Sequence, residues 1–216
     1  MVVREDGSVR VSTPARYPAR DVPVFLHKYS DWILGTITSQ EKIRNELSQQ
    51  IASGQMHALF LGEDYPVTLQ RVGISYGIQW SEDGFHVEIP SGISPEREMA
   101  LVSALFDHWY GIRARKYLPG RVHALASRIG VHIARVSIRN QRTRWGSCSE
   151  KGNINLGLRL MAAPPEVIDH IILHELAHRL EMNHSPAFWA IVAAHDPNWK
   201  AHKAWLRRNN KRMTFP

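Results

Sequence analysis

Cysteine occurs once, at Cys148, so no disulfide can close within the chain and a reducing compartment, the cytoplasm, is expected. No apolar run approaches the roughly 18 residues of a membrane span, which removes the bilayer as an expected partner. Met1-Val2-Val3-Arg4-Glu5-Asp6 leads into no apolar stretch of the kind a secretory signal uses. A glycine-rich phosphate loop, a dinucleotide fingerprint, internal repeats and low-complexity segments are all missing. Acid is scarcer than base, 20 Asp and Glu against 27 Lys and Arg, for a net charge of +7.

What is present is ordinary in amount and uneven in placement. The 216 residues, 44% hydrophobic and 22% charged, suit one sizeable domain or two small ones with a real core. Between Gly111 and Lys151 lie ten basic residues against one acid, Glu150. That segment is a candidate surface for nucleic acid or a nucleotide, and equally a solvated face that keeps the protein soluble.

The chemistry concentrates in one stretch, His174-Glu175-Leu176-Ala177-His178, followed by His184. On a helix, residues four apart share a face with Cβ atoms about 5–6 Å apart, so His174 and His178 can grip one ion. Glu175 stands beside the first of them as candidate general base, and His184 is a candidate third ligand delivered after a turn. Three nitrogen ligands with one position left open describe a catalytic Zn2+ site more than a structural one. Twelve histidines in the chain raise the chance of an accidental match, and two buried core histidines would give the same letters. The surroundings favour the metal. Pro165 suits a first helical position after Pro164, with Glu166 and Asp169 near the positive helix end. Ile168, Ile171, Ile172, Leu176 and Leu180 recur at helical spacing as a buried stripe.

The rest of the chain reads as α+β. A strand is predicted over 6–12, helices over 19–34 and from the Thr38-x-x-Glu41 capping box to Gly54, and short strands over 57–61, 65–72, 74–80 and 85–89 in a small antiparallel sheet. Ser94-Pro95 should cap a long helix that Pro119-Gly120 interrupts. Strands at 132–139 and 153–158 should form a hairpin ahead of the metal helix. Ser185-Pro186 should open another helix, anchored by Phe188, Trp189, Ile191 and Val192. These elements divide the chain into a β-rich N-terminal part with two helices, 1–92, and a metal-bearing hydrolase domain, 93–216.

Arg144-Trp145-Gly146-Ser147-Cys148-Ser149, Asn153-Ile154-Asn155-Leu156, the helix above and Asn183-His184-Ser185-x-x-Phe188-Trp189 together resemble the YgjP-like zinc metallopeptidase family, related to the WLM and SprT-type metalloproteases. The strong resemblance covers about residues 132–206 and a weaker one extends through most of the chain. It implies a zincin-like domain, with the active-site helix beside a small sheet or hairpin, zinc at His174, His178 and His184, and Glu175 catalytic. The spacing of the three histidines also occurs in metzincins, but Glu181 stands where those proteins carry a helix-breaking glycine. The expected activity is hydrolysis of a peptide or protein substrate, with the strand around Asn155 offering an edge to an extended chain. Arg142 and Arg144 open a second reading, since guanidinium groups suit phosphate and the family has also been linked to nucleotide pyrophosphatase activity. A zinc-stabilised module that binds nucleic acid without catalysis is a third, disfavoured by the presence of Glu175. Cys148 is a further conceivable ligand, and its loop equally a tight structural turn.

Overall fold

The computed structural model describes residues 1–3, 8–14, 16–141 and 143–213; within 30–53 the side chains of 40, 43, 44, 47, 48 and 50–52 also fall outside the description. Two compact units emerge, one from Met1 to Ser53 and one from Gly54 onward. In the first, β1 (Val2–Val3) pairs antiparallel with β2 (Val9–Arg10). The strand predicted over 6–12 is therefore shorter, its Asp6 and Gly7 lie outside the described residues, and its partner is β1. After α1 (Val22–Lys28), with Pro23 in the first turn where a missing N–H leaves no bond unmade, comes α2 (Ser30–Ser53). Thr38 and Glu41 lie inside α2 instead of starting a helix, because the chain leaves the helical conformation earlier, at Tyr29, and then runs on helically through Gly35. The side chains of Ile43, Leu47 and Ile51, expected to continue that helix's apolar face, are outside the description.

The second unit begins with a four-stranded sheet of β3 (Met56–Phe60), β4 (Glu63–Arg71), β5 (Gly77–Ser81) and β6 (Gly84–Ile89), in the order β3-β4-β6-β5. It is not wholly antiparallel as predicted: β4 and β6 run parallel, because β5 turns back through the tight Ser81–Gly84 link and takes the outer edge. The predicted boundary near residue 92 falls inside this unit, between β6 and α3 (Pro95–Ile129). The reason is packing. Phe85 of β6 meets Phe106 and Trp109 of α3 at ring-centroid distances of 5.1 and 4.9 Å, and Tyr110 Oη donates to the Leu59 carbonyl at 2.5 Å. Pro119 does not end α3. Its ring costs about 3 kcal/mol within a helix, but Leu118, Val122 and Leu125 around it are fully buried, and stopping the helix would expose them. The helix stops at Gly130, whose φ of 78° is left-handed and lets its N–H reach the Ala126 carbonyl.

A three-stranded sheet follows, built from β7 (Arg135–Arg139), β8 (Gly146–Cys148) and β9 (Asn153–Gly157) in the order β7-β9-β8. The predicted hairpin of β7 with β9 is corrected: these two are parallel, and β9 pairs antiparallel with β8 across the Ser149–Gly152 turn. Ile154 and Leu156 of β9 are fully buried, so the middle strand faces the core. A 3-10 segment, Leu158–Ala162, leads to α4 (Pro165–Ala177), then α5 (Pro186–His195) and α6 (Trp199–Met213). The fold is mixed α+β, with the histidine-bearing helix α4 packed on β8 and β9. No helix among the described residues is long and apolar enough to cross a membrane.

Candidate metal centre

Pro165 occupies the first turn of α4 and Glu166 lies there too, as the proline and the helix dipole favour. Ile168, Ile172 and Leu176 are fully buried and Ile171 nearly so, which orients the helix and leaves His174 and His178 at its half-buried margin. Arg121 of α3 forks onto Asp169 with Nε 2.6 Å from Oδ1, tying the two helices. The predicted stripe stops short of Leu180, which is 56% exposed, because α4 ends at Ala177 and residues 178–180 turn.

That ending builds the site. His178 is the helix cap, and its Nδ1 lies 3.2 Å from the Glu181 carbonyl oxygen, the arrangement in which Nδ1–H donates and Nε2 keeps its lone pair. Glu181 Oε1 accepts the Asn183 N–H at 3.1 Å, shaping the turn where a metzincin would place glycine. Ser185 then caps α5 by accepting the Phe188 N–H at 3.3 Å, with Pro186 in the first turn. His184, just ahead of that cap, is held against α4.

The three rings converge. His184 Nε2 is 3.0 Å from His174 Nε2, and one donor atom of each histidine lies within 4.8 Å of the others. In a tetrahedral site with bonds of about 2.0–2.1 Å, donors sit about 3.3 Å apart, so the three rings are close enough to turn onto a single ion. Burial, then the neighbouring histidines, push His174 down to about 3, and burial also lowers His178. Neutral imidazoles are what a metal requires. Phe188, fully buried, supports all three, its ring centroid 4.9, 4.6 and 4.7 Å from those of His174, His178 and His184. Phe188→Ala is expected to lower stability by about 3–5 kcal/mol, the range for emptying a buried phenylalanine site, measured by urea unfolding.

Glu175 is buried beside this cluster, and burial raises its carboxyl to about 7. The charge of Arg144 and the backbone N–H of Cys148 act against that rise. A Cβ on Gly146 would lie 2.7 Å from Glu175 Oε1, so β8 passes close over the carboxylate because residue 146 has no side chain.

The family model for the YgjP-like metallopeptidase domain matches residues 1–209. The chain belongs to the YgjP-like metallopeptidase family. Among solved structures it is similar to the metallopeptidase zymogen of Pyrococcus abyssi abylysin, at 24% identity over 42% of this chain and 92% of that one, with a TM-score of 0.38. No curated protein matches it significantly.

The remaining candidates of this YgjP-like chain divide. Arg144 is exposed and close enough for its charge to act on Glu175. Asn155 lies on the central strand, its Nδ2 donating to Ser147 Oγ of β8 at 3.2 Å. Arg142 lies outside the described residues. The open edge of the sheet beside α4 is β8, not β9 as predicted, since β9 is paired on both sides. Cys148 is half-buried with its Sγ 3.4 Å from the Ser149 carbonyl oxygen, and burial raises its thiol. The basic segment is partly committed to structure: Arg121 to Asp169, Arg128 to the His195 carbonyl, and Arg113 over the Trp109 ring. Sequence reasoning missed Gly146, whose role depends on a contact with Glu175 distant in sequence, and the ring-supporting role of Phe188, which depends on how α5 folds back on α4. It also missed a second group, His170, Asp196 and His202. The recurrence of histidine at 170, 174 and 178 was the available signal for its first member.

Proposed function

We propose that this YgjP-like protein is a zinc-dependent peptidase, with His174, His178 and His184 holding the ion and Glu175 as general base. The observation that carries the reading is a buried carboxyl set next to three converging imidazoles. Zinc suits this donor set because it is borderline-soft and accepts three nitrogens with one position open. When bound, it supplies Lewis acidity at that open position.

Glu175 does the proton work. Its carboxylate takes a proton from the water whose oxygen bonds to the scissile carbonyl carbon, then returns it to the amine nitrogen as the C–N bond breaks. A carboxyl whose affinity for protons is raised by burial is a stronger base than an exposed one, and a bound cation brings it back toward ionisation. The peptide is taken as an added strand along the free side of β8, with Asn155 steadying that strand through Ser147. Arg144 then meets the substrate near Glu175. The single cysteine suits a cytoplasmic setting.

The proximity of Arg144 to Glu175 also favours a second substrate class, a nucleotide or phosphoester, with Arg142 as its proposed companion. One assay separates the two readings. Zinc-loaded protein is given an unfolded protein, with and without single-stranded DNA, and in parallel a panel of nucleoside triphosphates, with Glu175→Gln as blank. Glu175-dependent protein cleavage is expected. Pyrophosphate release without peptide cleavage overturns the peptidase reading, and metal-dependent folding with DNA binding but no hydrolysis of any substrate points to a nucleic-acid module. In the same assay Gly146→Ala is expected to keep its metal and lose about 10²-fold in rate, since the new methyl displaces Glu175.

A further inference from the structure

Asp196 ends α5, and its buried carboxylate receives imidazoles from two other helices. His170 Nδ1, one turn before His174 on α4, lies 2.7 Å from Asp196 Oδ2. His202 Nδ1, on the first turn of α6, lies 3.1 Å from the same carboxylate. One donor atom from each of the three residues lies within 4.8 Å of the others, the same closeness that marks the first histidine set. His170 and Asp196 are buried and His202 is partly so.

We propose that His170, Asp196 and His202 form a second divalent-cation site, of zinc class, that clips α4, α5 and α6 together. The donor chemistry is two imidazoles and one carboxylate, a set that zinc accepts with a fourth position left to solvent. Donors 2.7 and 3.1 Å apart are both somewhat closer than the spacing of about 3.3 Å that tetrahedral zinc requires, so occupancy needs each imidazole to draw back slightly from Asp196. The ion takes the place of the two Nδ1 protons in these hydrogen bonds, each neutral ring then carrying its one proton on Nε2. Its charge is balanced in part by Asp196, against the charge of Lys203, which also reaches His170 although its ammonium lies over the Trp189 and Trp199 rings at 4.8 and 6.0 Å. The site is distinct from the His174–His178–His184 set, the His170 and His174 rings being 6.5 Å apart between centroids. It goes beyond the peptidase reading and does not depend on it. Without the ion, the same three residues form a hydrogen-bonded triad, and stoichiometry distinguishes the two states.

Metal-stripped protein is reloaded with excess zinc, desalted and weighed by native mass spectrometry. The wild type is expected to carry two ions, and Asp196→Asn and His202→Ala one each. His184→Ala is also expected to carry one, and the double variant His184→Ala/Asp196→Asn none. Asp196→Asn keeps the shape of the carboxylate, and cobalt titration of the wild type, read by visible absorption, needs no variant at all: two saturating equivalents are expected. A single equivalent retained by Asp196→Asn and lost by His184→Ala overturns this site and leaves the peptidase centre standing. A single equivalent lost by Asp196→Asn and retained by His184→Ala does the reverse.

Discussion

Glu175→Gln is expected to keep its metal and its fold while losing about 10²–10⁴-fold in hydrolysis, the span that general-base catalysis contributes. The substitution is nearly isosteric, so the contact with β8 at Gly146 is preserved and only the proton acceptor is lost. It also removes a carboxyl that burial already disfavours in its charged form, so folding has nothing to lose by the change. Turnover, metal content and unfolding midpoint measured on one preparation check all three statements. Activity within a few-fold of wild type would remove Glu175 from the chemistry.

The other large effect is on the metal itself. His184→Ala is expected to abolish tight binding at the three-histidine set, and hydrolysis with it. Two ligands from α4 alone leave the ion half-coordinated, and the third comes from a separate segment whose position depends on the Ser185 cap and on Phe188. His184 is exposed and precedes α5, so its removal costs only its contacts with Phe188 and Trp189, and the variant should fold and unfold close to the metal-free wild type. Zinc analysis of the Asp196→Asn background isolates this set from the neighbouring one. Full retention of that ion in the His184→Ala variant would show that His184 is not a ligand.

Much of the site was legible because its parts are close in sequence. The i, i+4 histidines, the proline that opens α4, the buried isoleucines and the Ser185-Pro186 start of α5 are local signals, and each recurs in the structure. Elements whose outcome rests on distant partners were read less well. The capping box at Thr38 is chemically sound, yet the helix runs on through Gly35, so α2 absorbs it. Pro119 is a helix breaker by itself, but the buried side chains around it hold α3 together. The direction of β7 relative to β9 depends on β8, a three-residue strand too short to carry a period of its own. Gly146 reads as a turn residue until Glu175, 29 positions on by the numbering, is seen to fill the space of its missing side chain. His170 and Asp196, separated by 26 positions, meet only when α5 folds back on α4.

If Glu175 directs water at a peptide carbonyl, isotope transfer reads that event directly. Zinc-loaded protein is incubated with an unfolded protein in water enriched in oxygen-18, and the fragments are weighed by mass spectrometry. The expected result is new C-terminal carboxylates, each carrying one heavy oxygen, formed by the wild type and about 10²–10⁴-fold more slowly by Glu175→Gln. Intact substrate in both samples, with heavy oxygen appearing instead in phosphate released from nucleoside triphosphates, would contradict it.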